Sequence, residues 1–174
     1  MFTEDWRHTF QSKISTADEA FGRYLKSGCR IFVGSGCSTP KHLVHALASH
    51  LRQYVDVEVV YFIALGPSPL IEDSLRHACR VKTFFVTDTL REAVFEGQAD
   101  YIPVYLSRAP NLFRNGVLTL DLTVIQVSPP DEHGFCSLGV SVDVAKAAVE
   151  SGRYVVAQVN PLMPRVLGDS FIHV

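Results

Sequence analysis

Val124-Ile-Gln-Val-Ser-Pro-Pro130 and Val156-Ala-Gln-Val-Asn-Pro-Leu-Met-Pro164 decide the fold, because they repeat one another as V-x-Q-V-[S/N]-P. Each begins as a continuous apolar run, residues 122–127 and 154–159, the reading of a strand covered on both sheet faces. Each then stops at a small polar residue followed by proline, which has no N–H to give to a ladder. Between them residues 141–150 read as a helix with Gly152 as its stop, so the unit is strand, helix, strand. Such a crossover makes the two strands parallel and places their carboxyl ends on one edge, where open α/β sheets bind ligands. Period-two alternation puts Gln126 and Ser128 on one face, and likewise Gln158 and Asn160. These groups could meet a ligand, or they could satisfy loop backbone.

The same rhythm extends upstream. Thr16-Ala-Asp-Glu19 is a capping box before a helix faced by Ala17, Ala20, Phe21, Tyr24 and Leu25 and ended by Gly28. Residues 3–14 read as a short peripheral helix. Residues 30–33 form a buried strand running into Gly34-Ser-Gly-Cys-Ser-Thr-Pro40, with Pro40 in the first turn of the next helix and Thr39 or Ser38 as its cap. Further strands are expected over 57–65, 81–86 and 101–106, the last marked by Pro103 as an edge or a bulge. Helices fall over 90–97 and 109–115, and residues 167–174 have strand-like apolar positions, as if cut off in mid-element. Strands alternating with helices argue for an α/β open three-layer sandwich with a mostly parallel sheet, residues 1–174 being a single domain.

Composition narrows the function classes. The chain is 47% hydrophobic and 20% charged with a net charge of −2, an ordinary globular balance without the basic stripe a polyanion needs, so no nucleic acid is expected as a partner. No run approaches the roughly 20 apolar residues of a membrane span, and the acidic start lacks signal-peptide order. Cys29, Cys37, Cys79 and Cys136 show no C-x-x-C pair and read as reduced thiols in a cytoplasmic protein. His42, His45 and His50 on one helix lack a third ligand at metal spacing, so no metal is expected.

Two loops carry candidate chemistry. Gly34-Ser35-Gly36 leaves a strand and enters a helix, a context in which backbone N–H groups hold anions, but it is neither a dinucleotide fingerprint nor a Walker loop. A plain tight turn explains the glycines equally well. Asp131-Glu-His133-Gly-Phe-Cys136 gathers a carboxylate, an imidazole and a thiol, so a Cys136–His133 thioesterase is one reading. The other has Asp131 ordering the turn after Pro130, His133-Gly134 reversing the chain and Phe135 to Leu138 packing inward.

Ile125-Gln-Val-Ser-Pro-Pro-Asp-Glu-His-Gly-Phe-Cys-Ser-Leu-Gly139 resembles the N-terminal half of the acetyl-CoA hydrolase/transferase family, which includes acetate and 4-hydroxybutyrate CoA-transferases. The resemblance continues through Ala157-Gln-Val-Asn-Pro-Leu-Met-Pro-Arg165 and Gly168-Asp-Ser-Phe-Ile-His173, with weaker support from residues 101–106 and the Gly34 loop. It implies a two-domain class I CoA-transferase with an active site between the domains. It also implies a glutamate that attacks the acyl-CoA thioester, expels CoA thiolate to leave a mixed anhydride, and is then converted by the thiolate to a glutamyl-CoA thioester resolved by an acceptor acid or water. The family places that glutamate in the C-terminal half, so this chain is expected to be the N-terminal domain, inactive alone. One departure is Ser35, where some members carry a histidine.

On this resemblance Gly34, Ser35, Gly36, Gln126, Ser128, Pro129, His133, Gln158 and Asn160 line one wall of an acyl-CoA cleft, with no catalytic residue in the chain. Coenzyme A is then a substrate and no cofactor is tightly bound. The expected partners are an acyl-CoA, a short carboxylic acid and the C-terminal half, in a homo-oligomer. The alternative is a non-catalytic scaffold or subunit-interface domain.

Overall fold

The computed structural model describes residues 6–174 and contains an all-parallel sheet of six strands. In chain order these are β1 (Arg30–Val33), β2 (Val57–Tyr61), β3 (Cys79–Thr83), β4 (Ala99–Tyr101), β5 (Leu120–Val127) and, after a short β6 (Phe135–Ser137), β7 (Gly152–Val159). Their spatial order is β4-β3-β2-β1-β5-β7. The two V-x-Q-V strands are neighbours in register, Gln126 opposite Gln158, as a parallel crossover requires. β6 pairs antiparallel with the C-terminal β8 (Phe171–His173) in a separate two-stranded sheet.

Alternation along the strands sorts the core into two layers. Ile31, Val33, Val59, Tyr61, Leu122 and Val124 face α2 (Ala17–Tyr24) and α3 (Lys41–Leu51), where Phe21, Leu43 and Leu47 meet them. Phe32, Val60, Ile125 and Val127 face α5 (Ala109–Arg114) and α6 (Ala145–Ser151). There Phe113 stacks edge-on against both Phe32 and Phe84, with centroids 5.6 and 6.0 Å apart. Each of these fully buried side chains contributes about 1.5–3 kcal/mol through removal from water. The remaining helices are α1 (Trp6–Thr9) and α4 (Asp88–Phe95).

Several boundaries differ from the sequence expectation. The strand expected over 101–106 lies at Ala99–Tyr101, and the chain leaves the sheet ahead of Pro103; β4 is nonetheless an edge strand. β2 and β3 end at Tyr61 and Thr83, four and three residues early, because residues 62–65 and 84–86 already turn at the sheet edge. The peripheral helix is two short turns, Trp6–Thr9 and Gln11–Lys13, and positions 3–5 lie outside the described residues. The capping box is present, with the Glu19 N–H donating to Thr16 Oγ1 and the Thr16 N–H to Glu19 Oε2.

Gly152 does stop α6, standing at its C-cap in extended backbone. Its φ is −73°, and it is required because a side chain there would begin 2.4 Å from Thr123 Oγ1, whose hydroxyl donates to the Ala148 carbonyl (3.0 Å). Neither Ser38 nor Thr39 caps α3; Pro40 occupies the N-cap position, and the Thr39 hydroxyl donates instead to the Gly36 carbonyl. The α3 cap comes from elsewhere in the fold.

Candidate functional site

All six strands of the parallel sheet point the same way, so the segments following β1, β2, β5 and β7 converge on one edge. The Gly34 N–H donates to the Val124 carbonyl of β5 (2.8 Å), and the Gly36 N–H to the Ile63 carbonyl beyond β2 (2.9 Å). The Asn160 N–H donates to the Val127 carbonyl (2.8 Å), which fastens the end of β7 to the end of β5. Gly34, Ser35, Gly36, Ser128, Pro129 and Asn160 thus lie along one edge. Gly36 needs its left-handed φ of 58° to turn the loop.

The glutamines sit one layer below that edge. Gln158 Nε2 donates to Gln126 Oε1 (2.9 Å), and Gln158 Oε1 accepts from the Leu43 N–H at 3.4 Å. The pair ties β5 to β7 and supplies the α3 N-terminus with the acceptor its own sequence lacks. Ser128 is fully buried; its Oγ accepts from the Ser137 N–H (2.9 Å) and its hydroxyl donates to the Pro129 carbonyl, so it anchors β6. Asn160 Oδ1 accepts from the Leu162 N–H (2.9 Å) and shapes the turn after β7.

The Asp131–Cys136 segment is a braced turn. Asp131 Oδ1 accepts from the N–H groups of His133 (3.0 Å) and Phe135 (2.8 Å), while Oδ2 pairs with Arg165. Partial burial works against the charge, but the Phe135 and His133 N–H groups and the Arg165 guanidinium outweigh it and hold the carboxyl below its ordinary range. His133 stands out in solvent with Glu132 3.8 Å away. Cys136 is buried among core residues, and burial pushes its thiol up to about 11. A thiol held protonated under a core layer is a poor nucleophile, so the geometry does not support the cysteine-hydrolase reading.

Two features of this edge carried no local signal in the sequence. The first is an open groove of about 760 Å³ between α3 and the loop after β2, lined by Thr39, Lys41, Val44, His45, Tyr61 and Leu65 among others. Its wall adjoins the Gly34–Gly36 loop through the Gly36–Ile63 bond. Tyr61 hydrogen-bonds Ser68 across it (3.2 Å), and burial pushes the phenol up to about 12, so it stays protonated. The second is Asp143, whose Oδ2 accepts from the Ser35 hydroxyl at 2.8 Å. Among the described residues no cluster of three or more His, Cys, Asp or Glu side chains could hold a metal ion. No helix there is long and apolar enough to cross a membrane.

Known proteins place this arrangement in context. The profile of the acetyl-CoA hydrolase/transferase N-terminal domain matches residues 3–174. The chain is 38% identical over 170 residues to a 4-hydroxybutyrate coenzyme A transferase of Clostridium kluyveri, covering 98% of itself and 39% of that protein. It is 41% identical over 166 residues to a succinyl-CoA:acetate/propanoyl-CoA:succinate CoA transferase of Fasciola hepatica, covering 94% of itself and 34% of that relative. Among solved structures, RipA from Yersinia pestis superposes with a TM-score of 0.85 at 29% identity, over 97% of this chain and 42% of that one. The chain therefore spans well under half the length of these relatives.

Proposed function

The chain belongs to the acetyl-CoA hydrolase/transferase N-terminal domain family, and from that premise we propose that it forms one wall of an acyl-CoA cleft whose nucleophile comes from a C-terminal half. The observation that carries this reading is the convergence of the Gly34–Gly36 loop, the Asn160 turn and the open groove on one edge of the sheet. The N–H groups of Gly34, Gly36 and Asn160 are spent on carbonyls of the sheet edge, so the loop supplies shape and the donors for the thioester oxyanion come from the rest of the completed cleft. The groove, lined by apolar Val44, Ala64 and Leu65 together with polar Thr39, Lys41 and His45, suits an extended acyl-CoA arm.

In the mechanism this implies, a glutamate of the C-terminal half attacks the thioester carbonyl, the carbon–sulfur bond breaks, and CoA thiolate leaves behind a mixed acyl–glutamyl anhydride. The thiolate then attacks the glutamyl carbonyl, releasing the first carboxylate and leaving a glutamyl-CoA thioester. An acceptor carboxylate or water resolves that thioester. A carboxylate must reach the carbonyl at about 3–3.5 Å from a held position. Asp131, the acidic group on the framing-strand loop with the most bonds, is already engaged by two N–H groups and Arg165.

A CoA-transfer assay with acetyl-CoA and a short carboxylic acid tests the reading. Residues 1–174 alone should give no turnover, and joining them to a family C-terminal half should restore it. Robust transfer by the isolated chain, persisting after removal of trace longer enzyme, would sink the proposal. Self-association fits the same picture, in a cytoplasmic setting. β7 is an edge strand of eight residues with exposed Tyr154 and Val155, and Leu162 and Leu167 beyond it are almost fully exposed. Sedimentation should show concentration-dependent association of the isolated chain.

A further inference from the structure

One carboxylate fastens the loop after β1 to the entry of α6. Asp143 Oδ2 accepts from the Ser35 hydroxyl at 2.8 Å across 108 residues of sequence, and its Oδ1 accepts from the Ala145 N–H at 3.0 Å. Asp143 adopts φ 23°, a left-handed conformation that residues with a side chain enter rarely. Such strain persists only where the surroundings over-determine it, and it concentrates at ligand clamps and active sites. The facing residue is unusual too: Gly36 has φ 58°, and Ser141 Oγ lies 3.3 Å from where a side chain on it would start. A strained aspartate turn and a glycine turn therefore interlock at the edge where the groove opens. Bracing the start of α6 would need neither a left-handed aspartate nor a bond to Ser35. Ser35 is buried while Cys37, two residues on, is exposed, so the loop is pinned from beneath and presents its outer side to the edge.

We infer that Asp143 is a positioning residue that holds the Ser35 hydroxyl, and through it the backbone of residues 34–37, in the arrangement that meets an acyl-CoA. This rests on the cleft reading above. Its hallmark is that binding falls much further than stability on substitution. Glycine accepts a left-handed φ without strain, so Asp143→Gly relieves the backbone while removing the carboxylate.

The test uses residues 1–174 titrated calorimetrically with acetyl-CoA, with amide NMR of Ser35, Gly36 and Cys37 as a second readout. Asp143→Gly should melt within a few degrees of the wild type, backbone relief offsetting much of the loss of two hydrogen bonds, yet bind about ten-fold more weakly, the scale of one lost charge-assisted hydrogen bond. Ser35→Ala should lose a similar factor, and the double variant little more, because both remove the same link. Asp143→Asn tolerates the left-handed turn and keeps one acceptor oxygen, so it should recover part of the affinity. Acetyl-CoA-induced shifts at the loop amides should shrink in step. Unchanged affinity and amide shifts in Asp143→Gly, with the wild type binding, would overturn this inference and leave the cleft reading intact. No acetyl-CoA signal from the wild type would overturn both.

Discussion

Near the start of the strands, charge joins the sheet: Glu58 of β2 takes Arg30 of β1 on one oxygen (2.5 Å) and Lys82 of β3 on the other, and Arg80 pairs with Asp100 across β3 and β4. At the opposite edge the links run through mostly neutral groups, Gln158 to Gln126, Gln158 to Leu43, and Ser128 to Ser137, with Asp143 and the Asp131–Arg165 pair the charged exceptions. Left-handed backbone occurs at both ends: Asp56 (φ 57°), Gly28, Gly97 and Gly116 lie just ahead of strand starts, while Gly36 and Asp143 stand at the opposite edge. What separates the ends is how they are linked, by ion pairs between neighbouring strands at one and by hydrogen bonds that tie loops and helices to the strand ends at the other, where the open groove lies.

The largest expected effect is at the charged end. Glu58→Ala leaves Arg30 and Lys82, each about three-quarters buried, without their shared acid. We expect a loss of about 2 kcal/mol in urea unfolding, between the values for surface and fully buried pairs. Acetyl-CoA affinity should be unchanged; a drop in affinity matching the stability loss would erase the distinction between the two ends. Gly36→Ala comes next, at about 1–2 kcal/mol for forcing a side chain into the left-handed turn. Here binding should fall as well, which sharpens the contrast. Gln158→Ala should lose about 1 kcal/mol, the usual scale of a helix N-terminal acceptor, with hydrogen exchange rising first in the opening turn of α3.

A smaller effect concerns acid. Asp131 and Glu58 both have carboxyls held below their ordinary values; in each, burial opposes the charge and the bonded N–H or cationic partners outweigh it. A depressed folded value contributes stability that is complete above the unfolded value of about 4 and is lost as pH falls through the folded one. Unfolding profiles should therefore steepen below about pH 4, and Asp131→Asn should flatten that limb by lowering stability near neutrality, where the contribution is complete, while converging with the wild type in acid. The smallest perturbation leaves the fold untouched. Brief iodoacetamide treatment at pH 8 should modify exposed Cys37 well before Cys136 and Cys79, whose thiols burial pushes up to about 11. Mass spectrometry finding Cys136 modified first would reopen a thiol role for it.

Local pattern by itself determined the layer order of this protein. Apolar runs, prolines at strand ends and glycine punctuation are short-range consequences of burial and backbone sterics, so the repeated V-x-Q-V strands, the Thr16–Glu19 cap and the Gly34 turn were legible directly. Strand ends were less so, since where β2 and β3 stop depends on neighbouring loops rather than on residues 62–65 and 84–86 alone. The site was half legible. Its edge followed from the parallel crossover, but the glutamines proved to join strands to a helix, and Ser128 to anchor a turn. Only the tertiary structure brought Asp143 to Ser35, Arg165 to Asp131 and α3 to the loop after β2. Those contacts join residues that are far apart along the chain. A side chain's own sequence neighbourhood fixes its backbone conformation, whereas the group it finally bonds is chosen by how whole layers pack.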